Sequence, residues 1–186
     1  MATWTAATAI PSGSLITSAW MTNVTGAINF LGAASATAGK DLAYLRRTTT
    51  QSLTAGTWAA VGFNAEDFDV ANGHDNTTNN SRYTAVAAGK YRLTGNVHFT
   101  HSTGTSALSG AFRKNGSGSS LTGFITGSAI VIDPPSAGRY GLVIPPTLVS
   151  LAAGDYVELM VNNSNASPAI DPTTYGVAFG IEWIGA

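Results

Sequence analysis

Residues 81–99, SRYTAVAAGKYRLTGNVHF, contain the end of one strand, a tight turn and one long strand, and they decide the fold. The side chains of the long strand alternate with the period of two that marks a half-buried β-strand. The apolar row is Tyr91, Leu93, Val97 and Phe99, and the polar row is Lys90, Arg92, Thr94, Asn96 and His98. Gly89 allows the chain to reverse at low steric cost just before this strand. We therefore expect the apolar row to fill the core of a β-sandwich.

Composition limits the function classes that the chain can belong to. The 186 residues include no cysteine, which excludes a disulfide framework and thiolate metal sites. The net charge of -1 argues against electrostatically driven binding to nucleic acid or to an anionic membrane. No stretch approaches the roughly 20 apolar residues that a membrane span needs, and the N-terminus has no secretory signal pattern. We expect neither nucleic-acid binding nor membrane insertion.

The surface must be unusual, because only 10% of the residues are charged, against about 25% in typical soluble domains. Ser, Thr, Asn and Gly must therefore cover much of it. Such surfaces are common where subunits associate and where a protein functions outside the cell.

The first 39 residues contain no Lys, Arg, Asp or Glu, and they predict a helix at 17–31. One apolar stripe at helical spacing consists of Trp20, Val24, Ala27, Ile28 and Leu31. A short helix is marginal in water until such a stripe is buried, so it either lies on its own domain or docks on another subunit. We assign residues 1–40 to an attachment arm with this docking helix and 41–49 to a linker. Within the linker, residues 41–47 either add a helical turn or lead into the first strand.

From residue 50 to 186 the chain has short β-like runs separated by turn residues. The predicted strands are 49–53, 58–63, 82–86, 89–101, 106–114, 119–132, 139–151, 155–162 and 175–184, and residues 64–81 form a polar loop. Many strands at short spacing without helical patterns indicate an all-β, antiparallel sandwich or barrel.

The last predicted strand has one bulky row and one nearly bare row. The bulky row is Val177, Phe179, Ile181 and Trp183, and the bare row is Gly176, Ala178, Gly180 and Glu182. A strand with a bare row permits close approach by another backbone or chain. This pattern indicates a central strand beside a subunit interface.

Several motifs resemble the jelly-roll family of the complement globular head and tumour necrosis factor. They are Tyr83, Gly89, Tyr91 and Leu93 at the family's strand-turn-strand spacing, the turn RKNG at 113–116, the strand pair LAAGDYVEL at 151–159 and the closing FGI at 179–181. The resemblance implies a ten-stranded antiparallel jelly-roll sandwich that assembles as a homotrimer, recognises ligands through loops and has no enzymatic activity. The residues that would then face neighbouring subunits are Arg92, Thr94, Asn96, His98, Ala178, Gly180 and Glu182.

The first 31 residues are similar to N-terminal segments of bacteriophage tail and other virion proteins, through the pattern WT, IPSG, ITSAW and NFL. This resemblance implies a virion protein in which residues 1–40 bind other virion proteins and residues 50–186 form a knob. The knob would adhere to a host-surface glycan or protein as part of a tail tip, fibre or head spike. The alternatives are a decoration protein of the capsid or tail without a receptor, a glycan-degrading enzyme, and, outside phages, a bacterial surface-binding module.

Two sets of residues carry potential chemistry, the three histidines and one acidic cluster. His98 and His101 are three residues apart, which places them on opposite faces of a strand and makes them poor joint metal ligands. Glu66, Asp67 and Asp69, followed by Asp75, could offer oxygen ligands to Ca²⁺, but their spacing does not match an EF-hand, and Asx turns in a solvated loop explain them more simply. We assign no catalytic, cofactor-binding or metal-binding residue and no cofactor.

Overall fold

Two antiparallel β-sheets packed face to face make up the described part of the protein. This computed structural model describes residues 41–101, 107–164, 168–173 and 176–185. The chain divides into two units, Met1–Ala36 and Thr37–Ala186, and all described residues belong to the second. The predicted helix at 17–31 and its docking residues lie outside the described residues. In the described ranges, no helix is long and apolar enough to cross a membrane.

Twelve strands occur in these ranges, and three of them have only two residues each. They are β1 (Leu42–Arg47), β2 (Gln51–Ser52), β3 (Ala59–Ala60), β4 (Ala65–Asp69), β5 (Arg82–Thr84), β6 (Gly89–His101), β7 (Leu108–Lys114), β8 (Ile130–Ile132), β9 (Gly138–Leu151), β10 (Tyr156–Asn163), β11 (Ala169–Ile170) and β12 (Val177–Gly185). The all-β, antiparallel sandwich expected from the sequence is confirmed. The strand number exceeds the implied ten because short pairings such as β2 with β11 extend the sheets.

From β6 onward, the strands of more than three residues alternate between the two sheets. The seven-stranded sheet has the order β2-β11-β6-β12-β1-β4, with β9 on the other side of β6. The five-stranded sheet has the order β3-β10-β7-β8, with β5 also paired to β10. Strand β6 therefore has neighbours on both sides along most of its length, which makes it an interior strand of the larger sheet.

The apolar row of β6 fills the core, as predicted. Tyr91, Leu93, Val97 and Phe99 are fully buried, and the observed bounds of β6 coincide with the predicted strand. Gly95 occupies the same row, and a Cβ there would lie only 3.2 Å from the ring of Phe112. The absence of a side chain on Gly95 thus lets the opposite sheet approach closely. Across the core, the rings of Phe112 and Phe179 stack with their centroids 5.4 Å apart.

Asp41, at the start of the described residues, fixes the first strand to the turn before β6. Its carboxylate is 2% exposed and accepts hydrogen bonds from the backbone N–H groups of Val86, at 2.9 Å, and Ala87, at 3.0 Å. The buried hydroxyl of Tyr91 donates to the same oxygen. Burial, and then this hydrogen bond to Asp41, raise the pKa of Tyr91 above its usual range.

Three sequence assignments are corrected by the strands. Residues 41–49 are not a linker, because β1 pairs along its whole length with β12 inside the sheet. The predicted loop 64–81 contains β4, which pairs with β1. Residues 163–174, which the sequence prediction leaves between two strands, contain β11, which pairs with β6.

A covering loop, residues 115–129, replaces most of the strand predicted at 119–132. Of that prediction only β8 is a strand. Gly123 and Gly127 both have φ of +85°, and a Cβ on Gly123 would lie 2.1 Å from the carbonyl oxygen of Lys114. Such backbone favours glycine and interrupts a regular strand. The segment therefore turns back over the outer surface of the five-stranded sheet.

Under the covering loop lies a second small buried region. Met160 is completely buried although it points away from the main core, and the rings of Trp58 and Phe124 meet edge to face at 4.8 Å. Beside them Arg113 and Glu158 form an ion pair of 2.6 Å, with side chains 2% and 3% exposed. The remaining guanidinium nitrogen of Arg113 donates to backbone carbonyls of the loop, including that of Gly118 at 2.8 Å. The ion pair thus holds the loop on the sheet.

Strands β4 and β9, at two edges of the seven-stranded sheet, are irregular. The register of β4 shifts beside Tyr44 and Leu45 of β1, and its sequence AEDFD carries three carboxylates. The register of β9 shifts opposite Leu93 and Gly95, where its sequence contains Pro145 and Pro146. Both shifts are β-bulges or comparable irregularities.

Candidate functional site

The predicted subunit-facing residues come together on one surface, the outer face, which is the side of the seven-stranded sheet that points away from the core. The register of β6 with β12 places Arg92 opposite Glu182, Thr94 opposite Gly180 and Asn96 opposite Ala178. His98 continues the row and lies opposite Gly141 of β9. The alternation seen in the sequence therefore places all seven residues on one face, and whether this face contacts other subunits stays a prediction.

Among the described residues, one ion pair crosses the middle of this face. Arg92 Nη2 lies 2.7 Å from Glu182 Oε2, and the two side chains are 49% and 45% exposed. Exposed pairs of this kind contribute about 0–1 kcal/mol to stability. The pair cancels its own charge and leaves the centre of the face nearly neutral.

Exposed apolar side chains flank this neutral centre, and the sequence prediction did not include them. On one side they come from β1 and β4 and on the other from β9; they are Leu42, Tyr44, Phe68, Val143, Pro146 and Leu148. Val143 and Leu148 are 69% and 65% exposed. The sequence did contain a signal for Leu42 and Tyr44, because the alternation of LAYLRR at 42–47 places these two residues in one row.

The bare row of β12 makes the face shallowly concave. A Cβ on Gly180 would lie 2.5 Å from Thr94 Oγ1 and 3.6 Å from the ring of Tyr44. These neighbours occupy the space above the glycine and form the walls of two shallow depressions of about 260 and 160 Å³. The close approach expected over the bare row is made by side chains of the same sheet.

The histidines do not converge. The ring of His98 lies over β9, where a Cβ on Gly141 would be 2.6 Å from it, and burial lowers the pKa of His98. His74 lies in the loop between β4 and β5, with Nδ1 2.9 Å from the carbonyl oxygen of Arg82. The side chain of His101 lies outside the described residues.

The four acidic residues of the predicted cluster each have a separate local partner. Asp67 pairs with Arg46 at 2.6 Å, Glu66 Oε1 accepts from the Asn76 side chain, Asp69 accepts from the N–H of His74, and Asp75 accepts from the N–H groups of Thr77 and Thr78. The last arrangement is the expected Asx turn, and these N–H groups, Thr78 first, lower the pKa of Asp75 to about 2. Across the described ranges, no three His, Asp or Glu side chains are grouped so as to hold a metal ion.

A second concave site, the loop pocket, was not predicted from the sequence. It has a volume of about 340 Å³ between the loop after β4 and the start of β5. It is lined by Asn72, Gly73, His74, Asp75, Thr78, Asn79, Arg82 and Thr84. These residues have no periodic pattern, so only the folded loop brings them together.

The wall of the loop pocket is held by backbone contacts. Gly73 accepts a hydrogen bond from the N–H of Thr84 at 2.8 Å, and a Cβ on Gly73 would lie 2.5 Å from the ring of Tyr83. Asn72 and Asn79 have φ of 55° and 52°, a left-handed conformation that asparagine tolerates better than most residues. The loop therefore has a defined shape.

Comparison with solved structures identifies the fold. The globular domain of zebrafish complement 1qA protein matches with a TM-score of 0.53 and 12% identity, over 78% of this chain and 97% of that chain. Murine APRIL at pH 8.0 matches with a TM-score of 0.56 and 12% identity, over 77% of this chain and 98% of that one, and its structure at pH 5.0 has the same TM-score and coverage at 13% identity. The chain has the complement-head and tumour-necrosis-factor jelly roll.

The fold that the sequence resemblance implied is therefore confirmed. No family model and no curated protein matches the sequence. At identities this low, the likeness concerns the fold alone. The phage-like segment at 1–31 is not tested by these comparisons.

Proposed function

We propose that this chain is a non-enzymatic bacteriophage virion protein whose jelly-roll knob forms a homotrimer and adheres to a host-surface glycan or protein. The knob includes β1 (Leu42–Arg47), and residues 1–40 attach it to other virion proteins. The protein is accordingly located on the extracellular particle.

The outer face is the observation that carries the assembly part of this proposal. Its neutral centre, with Thr94 and Gly180, is bordered by apolar side chains such as Val143 and Leu148, which are more than half exposed. Contiguous apolar exposure of this kind marks interaction surfaces, and interface cores are depleted in charged residues. A homotrimer in which this face meets neighbouring subunits would remove these side chains from water.

The low overall charge and the virion-like N-terminal segment support the location on a virion and the adhesion function. A knob carried on a particle functions outside a cell, where a surface of Ser, Thr, Asn and Gly suits dense association. Recognition by loops at one end of a rigid sandwich is a common arrangement, because loops carry function while the scaffold positions them.

Light scattering on matched variants tests the trimer. The full chain is expected at three times 19.0 kDa. Val143→Asp on the outer face should yield monomers, because it buries an unpaired charge in the interface. Val131→Asp, which changes a 59% exposed valine on β8 of the other sheet, is the control and should stay trimeric. A monomeric wild-type chain, or equal behaviour of both variants, would refute this face as the interface.

Binding and degradation assays test the adhesion. The purified chain should bind host envelope polysaccharide without shortening it, and removal of residues 1–39 should leave a folded knob that no longer joins particles. Release of fragments would support the glycan-degrading alternative. A chain that decorates particles but does not bind host envelopes would support a structural decoration protein.

A further inference from the structure

We propose that the loop pocket is a subsite for a saccharide that carries a carboxylate. This rests on the proposed adhesion function and names the chemistry of its ligand. The pocket shares no residue with the outer face, so the two sites can be altered separately.

Arg82 is the first support, since its guanidinium forms no ion pair with another described residue. Its Cζ lies 4.1 Å from the centroid of the Tyr156 ring, and Tyr156 is itself fixed by a hydrogen bond from its hydroxyl to the carbonyl oxygen of Gly116. Arg82 Nε is buried and has no hydrogen-bond partner among the described protein atoms. A stacked guanidinium is positioned by the ring, and its fork of N–H groups suits bidentate binding of a carboxylate.

The other lining groups suit hydroxyls. The side chains of Asn72, Thr78, Asn79 and Thr84 line the pocket, and within the described ranges no hydrogen bond joins them to another protein group. Asp75 adds an acceptor, and its pKa, lowered to about 2 by the backbone N–H groups of Thr78 and Thr77, keeps it ionised at neutral pH. Several donors and acceptors that converge on one concavity form the usual polar lining of a small-molecule site.

The charge pattern selects the ligand class. The pocket presents one guanidinium, from Arg82, and one carboxylate, from Asp75, so a purely anionic ligand such as a phosphate would meet repulsion on one side. A sugar with a single carboxylate and several hydroxyls matches both groups. The volume of about 340 Å³ lies at the small end of ligand pockets and accommodates one or two sugar rings.

The segment that forms the pocket also holds most of the buried polar atoms that lack a hydrogen-bond partner. Four of the six such atoms in the described structure come from residues 69–83; Arg82 Nε belongs to a lining residue, and Asp69 Oδ1, Asn76 Oδ1 and Tyr83 Oη belong to residues that do not line the pocket. Such atoms are rare in folded proteins, and a concentration in one segment calls for a specific explanation. The explanation we favour is that the loop is shaped to bind a polar ligand and leaves some of its own polar groups without partners.

The test is calorimetric titration of the full chain with galacturonic acid, which carries one carboxylate, and with its methyl ester. The acid should bind saturably, and the ester about tenfold more weakly or less, because it lacks the carboxylate. Arg82→Gln should weaken binding of the acid by about tenfold or more, and Thr84→Val by about fivefold. The control is Arg139→Gln. It removes a half-exposed arginine of β9 that pairs with Asp171 outside the pocket, and this variant should bind the acid as the wild type does.

Three results would overturn the proposal: equal binding of acid and ester, no binding of either, or full binding by folded Arg82→Gln. Thr84→Val keeps a β-branched residue in β5, so it provides a folded variant even if Arg82→Gln is unstable. A host-envelope assay separates this proposal from the adhesion function. If envelope binding persists in Arg82→Gln, the pocket is not the saccharide subsite, but the adhesion function stands. If the wild type binds the acid but not the envelope, the adhesion function is refuted, but the saccharide subsite stands.

Discussion

Replacement of Glu158 by glutamine should destabilise the fold far more than loss of an exposed ion pair of the same length. The carboxylate of Glu158 accepts two bonds from Arg113, from Nε at 3.1 Å and Nη2 at 2.6 Å, and one from Ser81 Oγ at 2.8 Å. Glutamine has one acceptor oxygen for these three donors and leaves the guanidinium, 2% exposed, without a counter-charge.

The expected loss follows from this burial. Breaking a buried pair by removal of one charge costs about 3–5 kcal/mol of unfolding free energy. The control is Asp67→Asn, which breaks the Arg46 pair, also 2.6 Å long but with side chains 45% and 44% exposed. That loss should be about 0–1 kcal/mol, since water solvates both groups after the change.

Urea unfolding at one fixed protein concentration measures both changes, because association would otherwise contribute to the apparent stability. Equal small losses in the two variants would refute the argument from burial. The double variant Arg113→Met with Glu158→Leu provides a further check. It should regain most of the stability lost in Glu158→Gln, since an apolar pair can replace a buried ion pair at little cost.

Other substitutions test the remaining contacts. Gly110→Ala should cost about 1–3 kcal/mol, because its Cβ would lie 2.4 Å from Ile144 Cδ1, and adding Ile144→Val, which removes that atom, should restore part of the loss in urea unfolding. Asp41→Ala should cost about 3 kcal/mol, because it leaves two backbone N–H groups and one hydroxyl without their acceptor; a loss below about 1 kcal/mol would contradict this anchoring role. The hydrogen bond from Lys114, followed by those from Asn115 and the N–H of Ala152, lowers the pKa of Asp155 from 3.8 to about 2. The stabilisation by Asp155 should therefore be complete above pH 3.8 and disappear as the pH falls towards 2, and acid titration of Asp155→Asn should lack this component.

The regular strands could be predicted from sequence because alternation over many residues is a strong signal. Strand β6, with its row from Tyr91 to Phe99, is the best example. Strand β1 also alternates, but its six residues follow a helix-like segment, and their pairing with distant β12 decides between strand and linker. The strand predicted at 119–132 was mostly wrong, because apolar residues of the covering loop, such as Phe124, pack on the outside of the sheet. Residues in an irregular loop do not alternate as strand residues do, so their sequence does not show which of them are buried.

The two candidate sites differ in how far sequence reasoning could reach them. The outer face depends on which residues of β6 and β12 share a row, and alternation gives that directly. Its apolar border depends on pairing between strands far apart in sequence, such as Arg92 with Leu148. The loop pocket depends on left-handed asparagines and on hydrogen bonds of a loop, as at Asn72 and Asn79, which leave no periodic pattern in the sequence.

The irregular edges of the larger sheet bear on how the protein behaves when many copies are crowded together. An exposed, regular edge strand would invite another copy to add its own strand, and the process could repeat without limit. The carboxylates of β4 oppose such addition by repulsion, and Pro145 and Pro146 of β9 lack the N–H groups that a new ladder would need. Copies held at high local concentration should therefore meet through side-chain surfaces in finite groups, and they should resist conversion into fibrils.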